Sequence, residues 1–298
     1  MKTSQERIGM VFVIIVILAA AIGPVVTKLA VGVFSPLFAA SMASLLGCII
    51  SLVVLIKNRK LGVIFDMGNL PSLFVVGLFG AVAYLLFFYG VSLTSGVNAA
   101  ILLQAEPVYA LLLGYFLLRE KITAKQILFT LMILAGVASV IYNGAAALNF
   151  GDFLILATTL FYQVSHVIAR KRMDKIGIFA VHAGRYLFGG LVLLMLSTVF
   201  GQNQFSLLAN PFNLLSALVL GVVVAWLSTI AFYAAIQRIN LSKVTAMIMP
   251  YPVLSIVLAW LVLKEAPSLY QIAGLIIMLT GVFFLARIKS EKRPSGKN

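Results

Sequence analysis

The chain has 298 residues, 62% apolar and only 10% charged, with a mean hydropathy of +1.12 and a formal net charge of +14. A water-soluble domain carries about 25% charged residues, so a soluble fold is excluded and lipid must cover most of this surface. The positive charge does not indicate nucleic acid, because Lys and Arg fall in short clusters between apolar runs instead of along one face or arm.

A helix needs about 20 apolar residues to cross the hydrocarbon core. Such runs occur in order at Ile8–Val33, Pro36–Ile56, Pro71–Val91, Val97–Leu118, Gln126–Tyr142, Phe153–Ala169, Ile178–Phe200, Phe212–Ala235, Val244–Leu263 and Leu269–Ala286. Turn and charge signals separate them: Ser35-Pro36, the basic run from Lys57 to Lys60, Asn143-Gly144, Asn210-Pro211 and Ala266-Pro267. The first run follows Lys2 and Arg7 but is too long for the core of a cleaved signal peptide, and is read as a retained helix. The alternation of a membrane β-barrel strand is missing. The expected fold is all-α and integral to the membrane, with ten transmembrane helices.

Ten alternating helices with a cytoplasmic N-terminus place 19 of the 22 basic residues in cytoplasmic segments, leaving Lys28, Arg185 and Lys264 elsewhere. This is the bias of the positive-inside rule. It predicts a multi-pass protein of the plasma or inner membrane with both termini in the cytoplasm.

The stretch Pro107–Val137 matches Pro252–Val282 in constant register, pairing Pro107, Glu120, Gln126 and Gly136 with Pro252, Glu265, Gln271 and Gly281. A weaker match pairs Gly9 with Gly151 and Lys28 with Arg170. The chain therefore divides into a first repeat at 8–142, a second at 151–287 and a basic cytoplasmic tail at 288–298. Five helices per repeat is an odd number, so the halves insert with opposite orientation. Inverted repeats of this kind are typical of secondary transporters.

These residues resemble the EamA-type transporters of the drug/metabolite transporter superfamily. The resemblance rests on Glu106-Pro107-Val108, Glu120, Thr123, Gln126 and Gly136-Val137, with a second copy at Pro252-Val253, Glu265, Ser268, Gln271 and Gly281-Val282. It implies ten helices as five plus five, and small-molecule transport without a cofactor. Members often carry an Arg-aromatic pair early in the second helix of each half. Here Arg185-Tyr186 keeps it, whereas the matching first-half residues are Ala43-Ser44.

Polar groups inside the spans supply the candidate site, because a charge at the bilayer centre is costly and faces a cavity or a partner. Glu106 precedes Pro107, which breaks its helix; the carboxylate either binds a substrate amine or proton, or pairs structurally with an arginine. His182, Arg185 and Tyr186 share one helix face, and Arg185 either grips a substrate carboxylate or is the counter-ion of Glu106. His166 is a further donor or simply helix-to-helix glue, and Tyr84 with Phe88 and Trp226 with Tyr233 are candidate cavity walls. Lys28 reads as snorkelling to an interface, and Gly77, Gly80, Gly136, Gly274 and Gly281 as close helix contacts. Pro250 and Pro252 mirror the break at Pro107, and paired breaks point to a transporter's binding site.

Enzyme motifs are absent from the sequence. Cys48 is the single cysteine and the histidines are two, so no metal site is expected. Asp152 reads as a helix cap. The expected function is a secondary-type exporter of amino acids or metabolites working by alternating access, with protons as a candidate coupling ion. The alternative is a membrane scaffold or lipid-carrier accessory protein that carries no flux.

Overall fold

The structure is a computed structural model that describes residues 4–118, 120–142, 149–239, 244, 247–288 and 291–292. The Asn143-Gly144 turn, residues 245–246 of the ninth predicted span and most of the basic tail lie outside the described residues.

The described chain is built from helices in the expected order. They are α1 (Ser4–Val31), α2 (Pro36–Lys57), α3 (Leu70–Leu93), α4 in two pieces (Gly96–Leu102 and Glu106–Leu118), α5 (Ala124–Tyr142), α6 (Phe150–Ile176) and α7 (Ile178–Val199). Then follow α8 (Pro211–Ile236), α9 (Tyr251–Leu263) and α10 (Leu269–Arg287). Among the described residues nine helices are long and apolar enough to cross a bilayer, and α9 is a shorter apolar helix. A two-residue antiparallel ladder joins Glu120–Lys121 to Glu291–Lys292.

Local chemistry explains the boundaries. Ser35 caps α2 by accepting from the Phe38 amide, with Pro36 at the first helical position. The matching Thr123/Gln126 and Ser268/Gln271 pairs of the repeat are helix starts. In each, the hydroxyl accepts from the Gln amide while the Gln carbonyl accepts from the Thr or Ser amide. The sixth helix runs beyond its apolar stretch through Arg170 and Lys171 and stops at Gly177, whose φ of 85° suits glycine.

Lipid-facing sides are apolar, as along Ile8, Val11, Ile14 and Leu18 of α1, all exposed. Inside, the packing follows a two-fold relation between the halves. Helix α3 packs on α6 as α8 packs on α1; α3 packs on α7 as α8 packs on α2; α2 meets α7 and α5 meets α10. Paired glycines bring these backbones together. A Cβ on Gly189 would lie 2.7 Å from the Gly77 carbonyl oxygen, and one on Gly47 would lie 3.1 Å from that of Gly221. A Cβ on Gly136 would lie 2.6 Å from the Gly274 carbonyl oxygen and one on Gly281 would lie 2.9 Å from that of Phe129. Backbone oxygens cannot yield as a flexible side chain does. Gly136→Ala is therefore expected to destabilise the fold by about 1–3 kcal/mol, the usual cost of overpacking. A thermal melt in detergent checks this, and an unchanged melting temperature would mean that the α5–α10 contact is loose.

Candidate functional site

Both proline breaks are present. Pro107 has no N–H to give the carbonyl one turn back, and a tight three-ten turn at Leu103–Ala105 splits α4 just before Glu106. In the second half, α9 starts afresh at Tyr251 between Pro250 and Pro252.

Glu106 is half-buried and accepts a short hydrogen bond from Gln163 Nε2 of α6. It forms no ion pair with Arg185. Arg185 is 3% exposed, and its Nη1 donates to His166 Nδ1 at 3.2 Å and to Tyr233 Oη at 3.4 Å. Because guanidinium has no acceptor, His166 is the acceptor here, and its ring proton sits on Nε2. The rings of Tyr162 and Tyr186 each lie 5.6 Å from the guanidinium carbon. Gly80, expected as a helix contact, instead makes room for this side chain: a Cβ there would lie 3.1 Å from Arg185 Nε.

The other predicted residues divide into two groups. Tyr84 and Tyr186 join the aromatic wall, with ring centroids 5.7 Å apart and hydroxyls 3.4 Å apart, and Tyr186 also meets the Thr229 hydroxyl at 3.0 Å. His182 and Trp226 are engaged elsewhere. His182 Nε2 faces the Ala225 carbonyl at 3.1 Å, so it carries the proton, and Nδ1 accepts from Ser51 Oγ at 3.1 Å. Ser51 Oγ in turn accepts from Trp226 Nε1. This chain ties α2, α7 and α8 together, and His182 reaches the wall only by stacking on Tyr186, 4.5 Å between centroids.

Gln163 and Tyr162 were not singled out as site residues from sequence, whereas Tyr233, expected beside Trp226 as a cavity wall, meets Arg185. Gln163 is a polar residue in mid-span, the same signal that marked Glu106, but uncharged and so less conspicuous.

At the end of the bundle opposite the basic loops, polar side chains tie the described helices together. Lys28 does not snorkel: its ammonium donates to the Val91 carbonyl at 2.9 Å and to that of Thr94, at the C-terminus of α3. There it meets the unpaired carbonyls and negative dipole of a helix end. Nor does Asp152 cap its helix, since Asn149 does that by accepting from the Gly151 amide. The Asp152 carboxylate instead accepts from the Thr94 hydroxyl and the Asn98 amide, and Asn98 Oδ1 accepts from Gln271 Nε2 at 2.6 Å. At the basic end a cleft opens between α6 and α8, lined by Arg170, Met173, Asp174, Ile236 and Gln237. Among the described residues, no cluster of three or more His, Cys, Asp or Glu side chains has the geometry to hold a metal ion.

Residues 7–142 and 149–287 both match the EamA-like transporter family. Similar proteins include an uncharacterized transporter of Methanothermobacter thermautotrophicus, 30% identical over 68% of this chain and 60% of that protein's length. One from Clostridium kluyveri is 25% identical over 84% of this chain and 83% of the other. An uncharacterized transporter of Archaeoglobus fulgidus is 24% identical over 87% of this chain and 92% of its own. A solved crystal structure shares the fold, with a TM-score of 0.68 at 19% identity over 95% of this chain and 96% of the other. With both halves matched, the chain belongs to the EamA-like transporter family, within the drug/metabolite transporter superfamily.

Proposed function

We propose that this protein is a secondary transporter that exports a small zwitterion, an amino acid or related metabolite, by alternating access. The observation that carries this reading is Arg185. It is a cation buried in mid-bundle whose hydrogen-bond partners, His166 and Tyr233, are uncharged. An intramembrane charge without an anion is expensive, and a substrate carboxylate bound by the guanidinium offsets that cost. Glu106, whose carboxylate takes one amide donor, supplies the complementary site for an ammonium group or a coupling proton.

Positive-inside bias puts the basic end in the cytoplasm of a plasma or inner membrane. The side-chain ties at the far end and the cleft at the basic end support loading from the cytoplasm, as an exporter requires. Single cysteines at Asn58 and Asp174, on a Cys48→Ala background, should react with an impermeant maleimide only from the cytoplasm, and one at Gln202 only from outside. Labelling of Asp174 from outside would break the ten-helix count, because it would put an odd number of helices before that loop. Transport itself is tested by counterflow of radiolabelled amino acids in proteoliposomes of the pure protein. Accumulation above protein-free vesicles is expected; none across a panel of amino acids would remove the reading.

A further inference from the structure

The two-fold relation between the halves locates a second feature. Gly189 of α7 meets Gly77 as Gly47 of α2 meets Gly221. Four residues before Gly189 is Arg185, and four before Gly47 is Ala43. Three residues after Gly77 is Gly80, which backs the arginine, and three after Gly221 is Val224. Ala43 and Val224 therefore stand in one half where Arg185 and Gly80 stand in the other. At this place lies a cavity of about 20 Å³, room for roughly one water or a methyl-sized group, lined by Thr27, Ala43, Tyr84, Phe88, Tyr162 and Val224 among others. It borders Ala43 and Val224, the counterparts of Arg185 and Gly80.

Thr27 is fully buried and its hydroxyl oxygen has no hydrogen-bond partner. The hydroxyls of Thr130, Ser197 and Ser255 are likewise unpaired, but of these four residues Thr27 is the one that lines the cavity. Tyr84 and Tyr162 line the cavity, and Tyr162 also lies against Arg185, so the cavity and the arginine share a neighbour.

We propose that this cavity is the specificity pocket of the transport site, and that it receives a short substrate side chain ending in a hydroxyl group. The proposal rests on the reading of Arg185 and Glu106 as the groups that hold the substrate's charged ends. The pocket admits the terminal hydroxyl or methyl of a short side chain, Thr27 bonds the hydroxyl, and branched or aromatic side chains are too large. The repeat asymmetry makes this possible: one half contributes a cation, and the other a small residue, Ala43, beside a cavity.

Counterflow in proteoliposomes with L-serine, L-alanine, L-leucine and glycine tests it. Wild-type protein is expected to carry serine at least about tenfold better than leucine, in the range by which pocket contacts discriminate substrates. Thr27→Val keeps the shape and removes the hydroxyl, and should lower the serine-to-alanine ratio by about tenfold. Ala43→Leu fills the pocket and should depress serine and alanine relative to glycine. An unchanged serine-to-alanine ratio in Thr27→Val, or wild-type flux of leucine equal to that of serine, would overturn the pocket while leaving the Arg185–Glu106 reading intact. Absence of flux for all four amino acids in wild-type protein would overturn both.

Discussion

Glu106→Gln should leave the protein folded and inserted while cutting transport by more than about tenfold, the rate equivalent of about 1.4 kcal/mol. Gln is nearly isosteric, and its side-chain carbonyl can still accept from Gln163 Nε2, the partner that Glu106 has now. What disappears is the ability to ionise, and with it the affinity for an ammonium group or a proton. Were Glu106 the counter-ion of Arg185, the same change would strand a buried cation and cost roughly 3–5 kcal/mol of stability. The geometry argues against that outcome, because the carboxylate bonds to Gln163 and the guanidinium to His166 and Tyr233. Flux and thermal unfolding measured on one preparation decide the matter. Lost stability would restore the structural pair, and normal flux would leave Glu106 without a role in transport.

Arg185→Met has the larger expected effect on transport. Truncating one member of a buried charge pair costs about 2–5 kcal/mol of binding, so carboxylate transport should fall by roughly 30-fold or more. Stability should hold. No carboxylate is left unpaired, and an uncharged side chain of similar length replaces a desolvated cation. A thermal melt beside the flux assay reads both. A melting temperature that collapses while residual flux follows the amount of folded protein would make Arg185 a scaffold for the tyrosines instead of a substrate ligand.

The sequence made the membrane fold legible because lipid burial imposes long apolar runs, and because basic residues and prolines mark where those runs end or break. It could not show where individual polar side chains find partners across helices. Glu106 and Arg185 are both deep charges in the sequence, and only the packing of α6 against α4 and α7 gives them separate partners. His182 looked like a companion of Arg185 because the two share a helix face. Its ring nitrogens are nonetheless taken by Ser51 and Ala225, which belong to α2 and α8. Gly80 and Gly77 are indistinguishable in sequence, yet one backs a guanidinium and the other a glycine backbone. The run of π-helical geometry at Val219–Ser228 in α8 carries no proline to announce it. Ala43, an unremarkable residue in an apolar run, acquires meaning only through its two-fold relation to Arg185.

The central claim is that one substrate molecule meets Arg185 with its carboxylate and Glu106 with its ammonium group. Competition against radiolabelled L-serine counterflow tests it most directly, using unlabelled L-serine, its amide, which lacks the carboxylate, and its des-amino analogue, which lacks the ammonium group. The account predicts that L-serine competes, and that each analogue competes at least about tenfold more weakly because a buried charge in the site is then left unpaired. Equal competition by the amide or by the des-amino analogue would contradict it.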